Sequence, residues 1–435
     1  MMGQYGVNAH IHVPPNFSAF ASVGEAVRLA DEQNVRVLGV SNYYDYRVYE
    51  EFAEEARRRG VYPLFGMEII AVVDELAKRG VRVNDPDNPG RMYLCGKGIT
   101  RYKQMSKRAK ELIGTIRGND ETRMREMTGK LAEIFREAGV ETGLTDEKVI
   151  DEVVKRYGCA REAVTLQERH LAQAFQEALF AWEKKPPALP QRHREHRGQP
   201  KLEEDSRRSQ RNGEDTESAT GADRGEELRG VLAKAFGVEP KSGMDDATGI
   251  QGEIRSRLMK AGKRAFAAEK FVNEEEAREL VLELGGIPCY PTLADGAGKR
   301  CEFEETPTGL VERLRERGIN LAEVIPVRNK PEVLREYVRA LREAGIAVVA
   351  GTEHNTPEMR RMEPTCKGGV ELSEEMKAIF REGACVVAAH QAMTAGGRCG
   401  FVDEQGRPNG EYGDAEERIK AFAEIGAGII EKVIG

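Results

Sequence analysis

Two hydrophobic rhythms alternate along the first seventy positions. Residues 22–33 set Val23, Ala26, Val27 and Ala30 three and four apart, the period of a helix with one buried face. Val35–Val40 is instead a short continuous apolar run that stops at the polar pair Ser41-Asn42. Residues 49–59 return to helical spacing, and Val61-Tyr62-Pro63-Leu64-Phe65 leads into Gly66-Met67-Glu68-Ile69. A short opening segment runs into Asn8-Ala9-His10-Ile11-His12 and a proline-rich loop. Strand, helix, strand, helix, strand, with polar residues wherever a strand stops, predicts a βα barrel or sheet whose chemistry lies at the strand C-termini.

The same reading carries along the chain. Residues 70–80 read as a helix, 84–90 as a turn-rich loop, and 91–98 as a strand with Lys97 at its exit. Residues 100–185 turn helical, with a capping signature at Leu144-Thr145-Asp146-Glu147. Residues 186–226 are Pro, Arg, Glu, Asp, Ser and Gly with almost nothing apolar, a composition that cannot offset its ordering entropy and predicts disorder. His193 and His196 fall inside it. Helices resume near Glu227, and 273–284 is a capped amphipathic helix. Strands follow at 285–291, 321–329 and 346–350, separated by helices at 308–317 and 331–344, and a helical tail closes the chain. The implied organisation is a first barrel part (1–99), a helical insertion (100–185), a disordered charged linker (186–226), a helical return (227–284), a second barrel part (285–371) and a tail (372–435).

Composition narrows the class. At 435 residues the chain exceeds a barrel of ~250. Its net charge of −7, from 66 basic and 73 acidic residues, lacks the basic bias of a nucleic-acid binder. No basic n-region with an apolar stretch opens it, and no apolar run reaches about 18 residues, so a cytoplasmic protein off the membrane is expected. Seven scattered cysteines without a Cys-x-x-Cys pair suggest reduced thiols. The chemistry then falls to His10 and His12. Side chains two apart on a strand share a face, and two imidazoles on one face suit a transition metal.

The run Asn8-x-His10-x-His12, then Leu38-Gly39-Val40-Ser41-Asn42, then Gly66-Met67-Glu68-Ile69, with Gly351-Thr352-Glu353-His354-Asn355 late in the chain, resembles the PHP (polymerase and histidinol phosphatase) superfamily. The resemblance covers roughly residues 5–75 and 280–360. It implies an α/β fold, a distorted seven-stranded TIM-like βα barrel of the PHP type, here carrying a large helical insertion and a helical tail. It also implies a metal-dependent enzyme that hydrolyses phosphate esters. The chain reads as a divergent member. Ser41-Asn42-Tyr43 stands where Thr-Asp-His is usual, Tyr290 where a histidine precedes proline, and Glu353 and Asn355 where Asp and His close the late motif.

By this resemblance His10, His12, Glu68, Glu353 and His354 are the metal ligands, holding one or two ions of Mn, Fe or Zn. Glu68 and His354, with Tyr43 and Tyr290 by position, are the catalytic candidates. Arg328, Lys97 and Arg361 are candidates for binding the anion of a small phosphorylated substrate. His390 reads as a structural helix residue. The alternatives are a degenerate barrel that binds a ligand or partner without hydrolysis, and a non-hydrolytic metalloenzyme such as a sugar lyase or isomerase. The helical insertion could serve a protein partner or self-association.

Overall fold

The structure is a computed structural model in which residues 5–184 and 222–435 are described. It divides into two units: Met1–Met124 with Glu147–Gln167 and Ala268–Gly435, and Arg125–Asp146 with Glu168–Ala267. The first unit holds the sheet. Strands β1 (Gly6–Ile11), β2 (Val35–Val40) and β3 (Tyr62–Val72) run parallel, linked by α1 (Val23–Glu32) and α2 (Val48–Arg58). Ser22 caps α1 by accepting from the Glu25 amide, so the apolar stripe read from the sequence starts where the cap puts it. After α3 (Asp74–Lys78), β4 (Arg91–Lys97) pairs antiparallel with β3.

The chain continues through α4 (Lys107–Ala138), α5 (Asp146–Tyr157), α6 (Glu168–Glu183), α7 (Ala222–Phe236) and α8 (Ala247–Ile254). The two-residue β5 (Val272–Asn273) pairs with β3 and leads into α9 (Glu274–Glu283), whose capping box joins Asn273 and Glu276. Then follow β6 (Ile287–Thr292), α10 (Pro307–Glu316), β7 (Leu321–Val324), α11 (Pro331–Glu343) and β8 (Ala347–Ala350), and finally α12 (Glu374–Ala395) and α13 (Ala415–Ile434). In the second unit, described by itself, Phe135 stacks on Phe175 with centroids 5.6 Å apart, and Leu179, Leu228, Leu232 and Ile250 are buried.

The sheet order is β1-β2-β3-β4-β6-β7-β8. The His12 amide donates to Glu353 O (2.8 Å), and the Thr352 and Glu353 amides donate to His10 O (3.0 and 2.9 Å), so β8 comes back to β1 and nearly closes a seven-stranded barrel. The expected distorted TIM-like barrel is therefore the fold, with one departure. β4 lies antiparallel to both neighbours, where βα grammar implies a parallel strand.

Other expectations need correction. β3 runs to Val72 because Ile69 and Ala71 are buried while Ile70 and Val72 are partly exposed, a period of two that leaves only Asp74–Lys78 as helix. The strand expected over 321–329 ends at Val324, and Pro326–Arg328 forms a single 3₁₀ turn, since Pro326 has no amide for a ladder. Helix resumes at Ala222, before Glu227; the rest of the linker through residue 221, with His193 and His196, lies outside the described residues.

Two apolar clusters flank the strands. Val37, Leu64, Cys289, Leu321 and Val349 face inward, toward α12 and α13, which close the end where the strands start. Leu38, Val40, Tyr290, Val324 and Val348 face outward against the helices. In β1 the two sets change parity. Val7 and Ala9 belong to the inner cluster, whereas Ile11 and Val13 belong to the outer one. The register explains it: Asn8 pairs with Leu38 and Ile11 with Val40, three steps against two, a one-residue bulge. His10 and His12 thereby turn inward, and Asn8 Oδ1 accepts the His10 amide (3.2 Å) within the bulge.

The bulge leaves no room beside it. A Cβ on Gly351 would sit 2.3 Å from His10 Cβ and 3.0 Å from the His10 carbonyl oxygen. Gly351→Ala is expected to destabilise the protein by about 1–3 kcal/mol, the usual cost of overpacking. Urea unfolding should show a lowered midpoint at unchanged slope; an unchanged midpoint would mean that β1 does not depend on this contact.

Candidate metal centre

The bulge brings three ligand atoms together at the C-terminal end of the first strands. His10 Nε2 lies 3.3 Å from His12 Nε2, and Glu68 Oε2 lies 3.6 Å from the first and 3.0 Å from the second. All three residues are buried. Glu68 Oε2 is shielded from solvent and makes no hydrogen bond of good geometry, its only neighbours of opposite character among the described residues being the two imidazole nitrogens. Buried carboxylate oxygens are rarely left so, and a cation is one of the few things that satisfies them. Two histidine nitrogens on a tetrahedral ion at about 2.0–2.1 Å would stand about 3.3 Å apart, close to the separation here. The donor set therefore fits a transition metal ion.

Behind the ligands lies a layer of charge. His10 Nδ1 meets Glu323 Oε2 at 2.8 Å, and Glu323 Oε1 accepts from Lys97 Nζ at 2.8 Å. Lys97 also donates to Ala9 O and Ser41 Oγ, each at 3.0 Å. Burial opposes a charge on His10, but the Glu323 carboxylate outweighs it and raises the imidazole to about 9. Burial likewise opposes ionised Glu323, but His10 and Lys97 hold it down at about 2. At Glu68, burial is overcome by the adjoining His10 and His12 rings, which keep the carboxyl well below its ordinary range. The His10–Glu323 contact is the carboxylate–histidine support that metal sites commonly use to fix an imidazole's tautomer.

The residues singled out in the sequence fall into two sets. His10, His12 and Glu68 converge, and Tyr43 joins them, its ring stacked on His12 at 5.2 Å with planes 8° apart. Burial and then the Glu68 carboxylate raise the Tyr43 phenol well above its usual value. His354 does not join. Its Nδ1 meets Thr352 Oγ1 (2.7 Å), its Nε2 meets Arg360 O (3.1 Å), and its ring stacks on Phe20. Burial lowers its pKa, and with both nitrogens engaged it has no lone pair to offer a metal. Glu353 turns aside as well: its carboxylate takes Arg328 and the Asn355 amide (2.8 Å).

Tyr290 faces the outer helices and donates to Glu304 Oε1 (2.8 Å), away from the barrel interior. Arg328 stands at the mouth, 39% exposed but paired with Glu353. Arg361 is exposed and pairs with Glu363 and Glu371. Lys97 reaches the centre but is spent on three internal acceptors, so as placed it holds no substrate. His390 is structural, accepting from the Phe401 amide (3.0 Å) and meeting Gly285 O (3.1 Å). Asn42 clamps both backbone groups of Val13, at 3.0 and 2.9 Å. Glu323 went unread, and its signal was plain: a lone acid within the otherwise apolar four-residue strand Leu321–Val324.

Of the five described non-glycine residues with positive φ, all but Asn34, which precedes β2, lie at the same end. Tyr44, Ala294, Glu353 and His354 have φ between 46° and 62°, and all follow the C-termini of β2, β6 or β8. Non-glycine residues rarely adopt this region, and such outliers cluster at functional sites.

No protein-family model matches the chain, and no curated protein matches it in sequence. Solved structures do. The crystal structure of a presumed metal-dependent phosphoesterase from Bifidobacterium adolescentis superposes with a TM-score of 0.53 at 12% identity, covering 87% of this chain and 97% of that one. An amidohydrolase from Chromobacterium violaceum, solved with bound sulfate and no metal, gives a TM-score of 0.49 at 12% identity, covering 83% and 93%. The likeness to the phosphoesterase is one of fold, and it agrees with the barrel expected from the PHP resemblance.

The Tyr290–Glu304 pair makes a prediction about pH. Burial raises Glu304 from 4.5 to about 7, despite its bonds from Leu293 N, Ala294 N and Tyr290. The folded state then holds a proton that the unfolded chain gives up, so this group's contribution is full below about 4.5 and is lost as pH rises to about 7. Glu304→Gln should flatten the decline in stability between pH 5 and 8 in urea titrations. A parallel decline in both proteins would show that the pKa of Glu304 is not raised by folding.

Proposed function

We propose that the chain is a metal-dependent hydrolase, a phosphoesterase acting on a small phosphorylated metabolite. The observation that carries this reading is the convergence of His10 Nε2, His12 Nε2 and the buried Glu68 Oε2 at the mouth of the barrel. Manganese, iron or zinc suits such a mixed nitrogen and oxygen set better than magnesium. The cytoplasm is the proposed setting; no described helix is long and apolar enough to cross a membrane.

His10, His12 and Glu68 would hold the ion, which supplies Lewis acidity to polarise a phosphoryl oxygen and to acidify water. The protein's own groups do the rest. Glu323 keeps His10 Nδ1 occupied, so that Nε2 faces the mouth. Tyr43, whose ring stacks on His12 and whose phenol stays protonated at neutral pH, would give its proton to a departing alkoxide. Arg328 presents a planar fork at the rim, and a phosphate would compete with Glu353 for it.

Elemental analysis of protein purified without chelator should find bound Mn, Fe or Zn, and a His10→Ala/His12→Ala variant should lose it. A panel of phosphomonoesters and phosphodiesters should then reveal turnover that the variant lacks. Metal-free protein that takes up no ion on reconstitution would end the hydrolase reading. Tyr43→Phe should keep its metal yet lose roughly 10²-fold in kcat, the usual scale of a general acid. Undiminished kcat would leave Tyr43 as packing for His12.

A further inference from the structure

We infer that the centre takes a single divalent ion and that the ammonium of Lys97 fills the place of a second. This rests on the metal-dependent reading above and specifies its site. A second group of possible ligand atoms, from His10, Cys95 and Glu323, also lies within 4.8 Å of one another. On distance alone it would suggest a two-ion centre.

Its atoms are already in use. His10 has one nitrogen on Glu323, at 2.8 Å, and one in the first cluster, so it cannot serve both. Glu323 has one oxygen on His10 and the other on Lys97. Only the Cys95 thiol is left over. The Lys97 ammonium has three donors and meets three acceptors, Ala9 O, Ser41 Oγ and Glu323 Oε1, while only 2% of the residue is exposed. Residues that could have completed a second site from the mouth are also spent: Asn42 on Val13, Glu353 on Arg328, and His354 on Thr352 and Arg360.

The electrostatics agree. Glu323 is fully buried, and an unpaired carboxylate there would be prohibitive, so a cation must accompany it. A lysine supplies that charge permanently, whereas a metal would do so only when bound. Fixed beside His10, the same charge repels a second divalent ion. Lys97 is thus a positioning residue: it holds Glu323, and Glu323 orients His10.

The test is a count. Chelated protein titrated with Mn²⁺ by calorimetry, and the loaded protein assayed for manganese, should give one equivalent. Two equivalents overturn the inference and leave the metal reading standing; none removes the metal reading and the inference with it. Cobalt-loaded protein should lack thiolate-to-cobalt charge transfer in the near ultraviolet, and its presence would place Cys95 on an ion and overturn the inference. Lys97→Met frees only Glu323 Oε1, so a folded variant should still bind one equivalent, more weakly because Glu323 is no longer held; a folded variant with the parent's affinity overturns the positioning role. Should that variant not fold, Lys97→Met/Glu323→Gln removes both charges together. It should bind one equivalent about 10–100-fold more weakly, the usual cost of losing the carboxylate behind a metal-bound histidine. Affinity equal to that of the parent would overturn the positioning role.

Discussion

Everything at the mouth of this barrel depends on one buried ion pair, Lys97 with Glu323. Neither charge could be tolerated there alone, and together they still carry the cost of leaving water. What they give in return is order. Lys97 reaches from β4 to the Ala9 carbonyl on β1 and the Ser41 hydroxyl after β2, and Glu323 reaches from β7 to His10. Four of the barrel's elements are thereby tied through two side chains, at the level where β1 bulges. An apolar pair could fill the same space, but it would leave the His10 ring without a direction.

Much of this was legible in the sequence, and the parts that were not share a cause. Strand–helix alternation, the buried stripe Val23, Ala26, Val27 and Ala30, and the capped helix from Asn273 all follow from local spacing. So does the likeness of His10, His12 and Glu68 to a metal motif. The bulge between Asn8 and Ile11 does not, because a bulge is a mismatch between two strands and a single strand carries no record of its partner's count. Simple alternation from the inward-facing Val7 and Ala9 would have pointed His10 and His12 at the helices. The antiparallel β4 is hidden for the same reason: direction belongs to the pairing, while the apolar run reads alike either way.

The late motif shows how a residue type can mislead. Glu353 and His354 have the chemistry of ligands and sit in strained backbone at the right end of the barrel. Yet each is taken by an internal partner, Glu353 by Arg328 and His354 by Thr352 and the Arg360 carbonyl. What they supply is backbone. The Glu353 carbonyl and amide pair with His12 and His10, and these bonds bring β8 against the first strand. Tyr290 teaches a similar lesson, since its register on β6 turns the phenol toward Glu304 and leaves the interior face to Cys289.

The joining of β8 to β1 has a consequence for how the protein is made. The residues that would grip an ion are complete by residue 68, but Asn8 finds Thr352 only 344 positions later, and the inner cluster is finished by α12 and α13. Contacts this distant in sequence form late and slowly. A chain emerging from the ribosome therefore carries both histidines and the glutamate long before the strand that seats them exists. Such a chain has ligands without a pocket, and the choice of ion is deferred until the whole barrel can impose its geometry.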